Sequence, residues 1–553
     1  VTDAAAAAPK GNGIGRASAL LASGTIFSRI LGFVSVVFLT QTLSQSSIGA
    51  NMFALANQLP SNIYAIIAGG LLSSVFVPAI VRAGLHDDGG QGFVNRLVTL
   101  GFIVFLAAGV IATVLAPALI HLYADLGAGE LSDVDLGLAT AFAYWCLPQV
   151  FFYALYSLLG EVLNARGIFG PFTWAPAINN VVVIAGLIVF ATLFGSDGAT
   201  FLSGQWTPGM IALVAGTATL GVAAQAFVLT LFWRRAGLTY RPDFRWRGVG
   251  LGATGKAAAW TFGMILVTQL AGIVQTNVAS GAADPEESNA SLVVLRNTWL
   301  IFMLPHSIAV VSLATAYFTR MSTHVRDGKI GLLRDDFAAS MRSSGMIIVF
   351  AAVGLIVLAF PFSAVFARNG FADVTDMAPV LIAFLIGLVP FSVLYLLRRT
   401  FYALGDTRTP FFITVFQAAL FVVGALIVSA LEPHLIAVGI AIVTTIAGTA
   451  QTVLAAVLLR RKLSTLHGRE VVRRYVQFIV ASVPAAVVGA AIVWILGGFS
   501  GGFGSATPFG GVVTLAVSGA AMVVVYGLAL RIMHNPEFTA FAGPIMRRLG
   551  RSR

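Results

Sequence analysis

An arginine inside a long apolar run is the first residue here that demands a chemical role. Arg29 stands in the stretch SGTIFSRILGF, some twelve residues into the run. A guanidinium at that depth costs at least ~2.5 kcal/mol on the mildest insertion scale, so it must meet water, an anion or a partner. One reading is a cavity-lining site for an anionic substrate, because the planar fork of donors matches phosphate. The other is a snorkelling side chain or a packing hydrogen bond. Arg296, beside Asn297, begins a later apolar run, where a rim and a cavity role weigh equally.

The second apolar run is rich in amides: NMFALANQLPSNIYAIIAGGLLSSVFVP. Asn51, Asn62 and Ser73 recur every eleven residues, about three helical turns, and so share a face. Asn57 and Gln58 lie elsewhere on it. Pro60 removes one backbone donor, and Gly69 and Gly70 add a flexible point, so these three form a candidate hinge. A bendable, cavity-lining helix explains both sets; ordinary helix packing is the alternative. Further along stand Gln269, Gln275 and Asn277, then His306 between Pro305 and Ser307. His306 could titrate, bind substrate or bond to a neighbouring helix. Asn179 and Asn180, after Pro176, are packing or lining groups. Glu161 marks an interface, and Asp406 and Arg408 in GDTRTP are read as partners in a tight turn. The substrate-contacting candidates are therefore Arg29, Arg296, Asn51, Gln58, Asn62, Gln269 and His306.

These residues assemble no recognisable catalytic site. The seven histidines are dispersed, and no HExxH, paired-cysteine, P-loop or GxSxG pattern occurs. The expectation is no catalytic residue, no metal and no cofactor, with any coupling ion unidentified. A single cysteine, Cys146, excludes a disulfide scaffold.

The elements that must carry these residues follow from composition. Of 553 residues, 58% are hydrophobic and only 10% charged, with a mean hydropathy of +0.91. Soluble domains carry about 25% charge, so a soluble enzyme, a coiled coil and a disordered chain are excluded. Apolar runs of about 20 to 28 residues cross about 30 Å of hydrocarbon as helices. Fourteen are read: 17–40, 50–77, 96–122, 137–164, 172–194, 208–232, 257–280, 291–319, 341–366, 378–403, 411–431, 434–459, 473–497 and 509–532. The weakest separations are at Leu431–His434 and at the glycine-rich stretch 498–511, read as a flexible outer loop. Ala4–Pro9 is too weakly apolar for a cleavable signal peptide.

Charge placement tests the count. With the N-terminus in the cytoplasm, every Lys and Arg except Arg29, Arg296 and Arg368 is assigned to cytoplasmic tails and loops. The outer loops are acidic, with Asp125, Glu130, Asp133, Asp135, Asp284, Glu286 and Glu287. This positive-inside pattern puts both termini in the cytoplasm. It also explains the net charge of +11 as topology and attraction to anionic lipid headgroups, without nucleic acid. The closing run RRLGRSR reads as a juxtamembrane linker or a lipid-binding tail.

Two segments about 240 residues apart are alike. VLNARGIFGPF (162–172) and TFYALGDTRTPF (400–411) each close a long span with Ala-x-Gly and reach Pro-Phe at the next. Leu72–Arg82 leads to Gly89 and Gly90 as Leu313–Thr323 leads to Gly328. Six spans separate the pairs, so both copies share one orientation. The expected architecture is all-α: two parallel six-helix lobes around a cavity, plus two further helices. The boundaries are a tail 1–16, lobes 17–240 and 241–465, helices thirteen and fourteen in 466–532, and a basic tail 533–553. A 240-residue offset sets Gln269 against Arg29.

The residues Ser28-Arg29-Ile30-Leu31-Gly32-Phe33, Ala56–Pro60, Val75–Pro78, Leu163-Asn164, Ala175-Pro176, Asn179 and Phe401–Pro410 carry a resemblance. Through them the chain resembles the MurJ/MviN family, lipid II flippases of the multidrug/oligosaccharidyl-lipid/polysaccharide exporter superfamily. The resemblance implies two lobes packed as a V around a cationic cavity, and a groove on the last two helices for a polyprenyl tail. It implies movement of an undecaprenyl-diphosphate-linked peptidoglycan precursor to the outer leaflet by alternating access, driven by membrane potential or an ion gradient. Arg29 matches the family's first cavity arginine. The second falls on Ser35, with Val36 at the following aspartate. The aspartate opening span two falls on Asn51, the next arginine on Tyr64 or Ala65, and the glutamate before glycine on Gly69. The arginine expected in span eight falls near Leu300, one turn beyond Arg296, which could supply that charge. The chain reads as a divergent member with several cavity charges replaced.

The function expected is thus a lipid II flippase in the bacterial cytoplasmic membrane, in contact with anionic lipids and cell-wall synthesis proteins. A drug exporter of the same superfamily and a non-transporting scaffold for wall synthesis are the alternatives.

Overall fold

The structure is a computed structural model, and it describes residues 11–45, 47–68, 91–124, 131–166, 168, 170–195, 203–245, 256–280 and 292–550. Helices dominate, with no strand among the described residues. Twelve helices there are long and apolar enough to cross a membrane, or thirteen with the bent pair Phe371–Ile386 and Leu388–Ala403. The second expected span is helical over Ile48–Ile67. Gly69, Gly70, Ser73 and the acidic residues Asp125, Glu130, Asp284, Glu286 and Glu287 lie outside the described residues, as do Leu72–Arg82, Gly89 and Gly90.

Helix ends follow local chemistry. Pro208, Pro433, Pro508 and Pro536 occupy first helical positions, where no N–H is needed. Thr507 accepts from the Gly510 N–H at 3.1 Å. Inside the helices, hydroxyls such as Thr276, Thr298 and Thr444 donate to the carbonyl four residues back, which satisfies them without water.

The chain forms two compact units. One comprises Val1–Thr42, Met52–His121 and Asp133–Phe262; the other comprises Leu43–Asn51, Leu122–Ser132 and Gly263–Arg553. In the first, Val94, Phe105, Leu158, Leu163 and Leu229 centre the core. In the second, Gly468–Ile495 and Pro508–Ile532 pack on Ile330–Val357 through Met346, Val349, Phe478, Ala485, Met522 and Tyr526. The last two apolar helices are thus part of the second unit's core.

The internal duplication recurs in three dimensions. The first unit has Asp133–Cys146, a break at Leu147-Pro148, then Gln149–Ala165 and Gly170–Phe194. The second has Phe371–Ile386, a break at Gly387 with a 41° bend, then Leu388–Ala403 and Arg408–Val428. Corresponding bounds are 238 residues apart (133 and 371, 165 and 403, 170 and 408). Glycines repeat at the same offset: a Cβ on Gly186 would fall on Thr217, and one on Gly424 would fall on Val443. In each unit this brings the fifth and sixth repeat helices close together. Gly24 packs against Thr173 and Trp174, and Gly263 packs against Phe411. These glycines are 239 apart, which sets Thr268 against Arg29 and Gln269 one position further on.

Four expectations are corrected. The basic stretch 320–342 is mostly helix: Leu292–Arg326 and Ile330–Val357 run past their apolar segments and join at Asp327–Lys329. Asp336 holds them together, with Arg320 at 2.6 Å and His324 at 3.1 Å. Arg398 and Arg399, counted with the cytoplasmic loops although the expected span 378–403 contains them, stand in the last turns of Leu388–Ala403. Arg398 donates to Thr414 Oγ1 at 3.0 Å, and Arg399 lies over the Tyr395 and Phe318 rings. The stretch 498–511 is a close-packed knot, because its glycines let backbone meet backbone. Gly504 N–H donates to Leu496 O at 2.8 Å, and Gly511 sits on Pro361. The basic tail is helical over Pro536–Gly550 and is capped by Asn535, which accepts from the Phe538 N–H at 3.0 Å.

The GDTRTP turn is built differently from the expected Asp406–Arg408 pair. Gly405, at φ 73°, closes Leu388–Ala403 in the left-handed region that favours glycine. Asp406 then accepts from the Thr409 N–H at 2.9 Å and its hydroxyl at 2.7 Å, and pairs with Lys462 at 2.8 Å. Burial pushes the Asp406 carboxyl up, but Lys462 and Thr409 outweigh it and hold the group below the usual carboxylate range. Arg408 lies over the Phe412 ring.

Candidate functional site

In the first unit, Gly11–Leu43 carries Arg29 and packs on Gly170–Phe194. Asn180 donates to the Ser28 carbonyl at 3.3 Å and lies 3.4 Å from where a Gly32 Cβ would be. Asn180 is therefore a packing group. The Arg29 side chain is exposed, with no hydrogen bond or ion pair among the described residues. Its neighbours Phe27 and Ile30 are exposed apolar groups. A charged fork on an apolar span is thus left free for an anion or water.

Ile48–Ile67 presents its amides in different settings. Asn57 is tied down: its Oδ1 accepts from Gln149 Nε2 at 3.1 Å. Gln58 and Asn62 are half-buried one turn apart, on either side of Pro60. The proline leaves that helix unbroken as far as Ile67, so the hinge expectation rests on Gly69 and Gly70.

Gln149 escaped sequence reasoning. Its side chain is 1% exposed and also donates to Thr219 Oγ1 at 3.0 Å, which bridges three helices just past the Leu147-Pro148 break. The available signal was an amide following proline in an apolar run.

In the second unit, Asn51 is 2% exposed. Its Nδ2 donates to Ser47 O at 3.0 Å, and its Oδ1 accepts from the Val293 N–H at 3.2 Å. That N–H belongs to the first turn of Leu292–Pro305, where backbone donors have no partner within the helix. Asn51 thus anchors this helix start. Arg296, one turn on, is exposed, and Asn297 beside it is buried. Gln269 is half-buried on Lys256–Ser280. Asn277 on the same helix donates to Leu122 O at 2.8 Å.

His306 follows Pro305 at a π-turn, His306–Val310, inside the long helix Leu292–Arg326. Its Nδ1 is 3.0 Å from Ser392 Oγ, and its ring meets Phe391 and Tyr395 edge-on. It is 2% exposed, seated on the second half of the broken helix. Asp373 was also missed in the sequence. Its carboxylate accepts from the Arg368 and Asn369 N–H groups at 2.8 Å, while its carbonyl accepts from Gln45 at 2.8 Å.

Asn51 and His306 bond to backbone groups and to Ser392, not to another of the seven candidates. Arg29 and Arg296 are exposed, Gln58, Asn62 and Gln269 half-buried, and Asn51 and His306 buried and bonded to protein. Among the described residues no His, Cys, Asp and Glu group could hold a metal ion.

Comparison with known proteins bears on the family and the fold. A family model described as lipid II flippase MurJ matches residues 44–510. A curated relative from Haemophilus influenzae, a probable lipid II flippase MurJ, is 26% identical over 500 residues, covering 85% of this chain and 90% of that protein. A solved structure of lipid II flippase MurJ in an inward closed conformation aligns with a TM-score of 0.69 at 18% identity, covering 93% of this chain and all of that one. A solved MATE structure in complex with MaL6 aligns less well, with a TM-score of 0.57 at 15% identity over 82% of this chain and 97% of that one. With a family match across most of its length, this multi-pass bacterial membrane protein belongs to the lipid II flippase MurJ family.

Proposed function

We propose that the protein carries a lipid-linked peptidoglycan precursor from the cytoplasmic to the outer leaflet by alternating access. The family match over residues 44–510 carries this reading. A diphosphate-sugar headgroup is too polar to cross hydrocarbon unaided. In the proposed cycle Arg29 grips phosphate through its paired donors, and Gln58 and Asn62 offer amides to the sugar and peptide. Arg296 supplies a second cation. The tail remains in the lipid, and no covalent step is needed. The breaks at Leu147-Pro148 and Gly387 support a transporter that bends, since a broken helix reorients at little cost. The basic loops support cytoplasmic termini.

The test has two arms. Cells depleted of their own flippase should grow when supplied with this gene. Vesicles holding the purified protein should move a labelled lipid-linked precursor across the bilayer. The likeness to MATE structures keeps an exporter as the second reading: efflux of a cationic drug without precursor transfer would establish it. Neither transport nor rescue would leave the scaffold role.

A further inference from the structure

The second unit holds a cavity that the transport reading does not use. It lies where Pro433–Leu463 ends and Gly468–Ile495 begins, and its volume is about 1170 Å³. Arg460, Arg469 and Arg473 line it. All three are exposed and make no hydrogen bond, ion pair or ring contact among the described residues. The one acidic group in the lining, Glu470, is already held by Arg342 at 3.0 Å. His467, also in the lining, is 3.1 Å from Asp335 on Ile330–Val357. The cavity therefore presents three unpaired guanidinium groups and no uncompensated carboxylate.

The walls below those groups are apolar. Val457 and Val472 line the cavity, at 44% and 62% exposure. One turn deeper in the spans, Val453 and Val476 continue the strip at 58% and 52%. Both helices are membrane-spanning by length and composition. A soluble phosphate would use the arginines and leave the valines idle. A phospholipid uses both, with its phosphate among the arginines and its acyl chains along the valines.

We infer that this cavity binds the headgroup of an acidic glycerophospholipid, such as phosphatidylglycerol, at the membrane face bearing the basic loops. Cationic forks meet the phosphodiester, and the exposed valine strip covers the chains. The site is independent of the proposed transport cycle, and its test contains no lipid-linked precursor.

The full chain, purified in detergent and stripped of lipid, is titrated with phosphatidylglycerol or phosphatidylcholine, and bound lipid is counted by native mass spectrometry. The expected result is a preference for phosphatidylglycerol of about tenfold or more, given the attraction each basic side chain adds near a lipid surface. R460Q/R469Q/R473Q should abolish the preference, and each single variant should lower it. R234Q/R235Q/R241Q removes equal charge from the first unit and should preserve it. The inference fails if the cavity variant keeps its preference, or if both triple variants lose it equally. It also fails if millimolar glycerol 1-phosphate displaces the lipid, which would make this a soluble-anion site. Unchanged melting behaviour of both triple variants establishes that folding is intact.

Discussion

The hydroxyl of Thr445 donates to the carbonyl oxygen of Ala383 at 2.8 Å, across from the Gly387 break. That carbonyl lacks its helical partner because the Gly387 N–H turns to Phe384 O instead. The first unit repeats the device: Thr219 donates to Trp145 O at 2.6 Å, beside the Leu147-Pro148 break. Trp145 and Ala383 are 238 residues apart, the offset of the repeat itself. Each lobe thus breaks its fourth repeat helix and satisfies a carbonyl there with a threonine from the sixth. In hydrocarbon an orphaned carbonyl has no water to turn to.

Replacing that threonine with valine should therefore cost about 1 kcal/mol or more, while serine should restore most of it. Thermal unfolding of T445V and T445S in detergent measures this. Equal melting temperatures for parent and valine variant would show that the bond is not needed.

Gln149 holds Asn57 and Thr219 together at one buried point. Gln149→Leu keeps much of the volume but strips both partners, with an expected cost of about 1–3 kcal/mol. The loss should couple to Thr219. A double-mutant cycle with T219V should give a total smaller than the sum of the single changes.

The Asp406–Lys462 contact sets a pH dependence. The folded Asp406 carboxyl sits below its ordinary range, so its contribution is fully present above the unfolded value near about 3.9. It is lost as pH falls through the lower, folded value. The stability gap between wild type and D406N should be constant near neutrality and close in strong acid. A gap that instead opened as pH fell below 4 would contradict this assignment.

Arg29 is exposed and unpaired, so its removal should spare the fold and strike transport. R29A is expected to insert and melt like the parent yet fail to rescue flippase-depleted cells. Lysine keeps the charge but loses the paired fork, so R29K should rescue only partly. Full growth with R29A would remove this residue from the proposed cycle.

The residues themselves were enough to establish a helical membrane protein of many spans and its duplication, while the expected count of fourteen stands against twelve or thirteen such helices among the described residues. Length and hydropathy decide helices in lipid, since every backbone group must be paired internally. The Ala-x-Gly and Pro-Phe repeat at 165 and 403 marked helix ends that the structure places at Ala165 and Ala403. Arg29 stood out because a charge in an apolar run is costly wherever the chain folds. The partners were not legible. Asn51 looked like a cavity amide, yet it anchors the Val293 N–H, about 240 residues away in the chain. His306 was open between titrating, binding substrate and bonding to a neighbouring helix, and the fold settles it on Ser392 between two rings. Polar type and spacing say that an amide or imidazole must find a partner. Only the packing of distant helices decides which partner it finds, because that choice depends on distances no single segment contains.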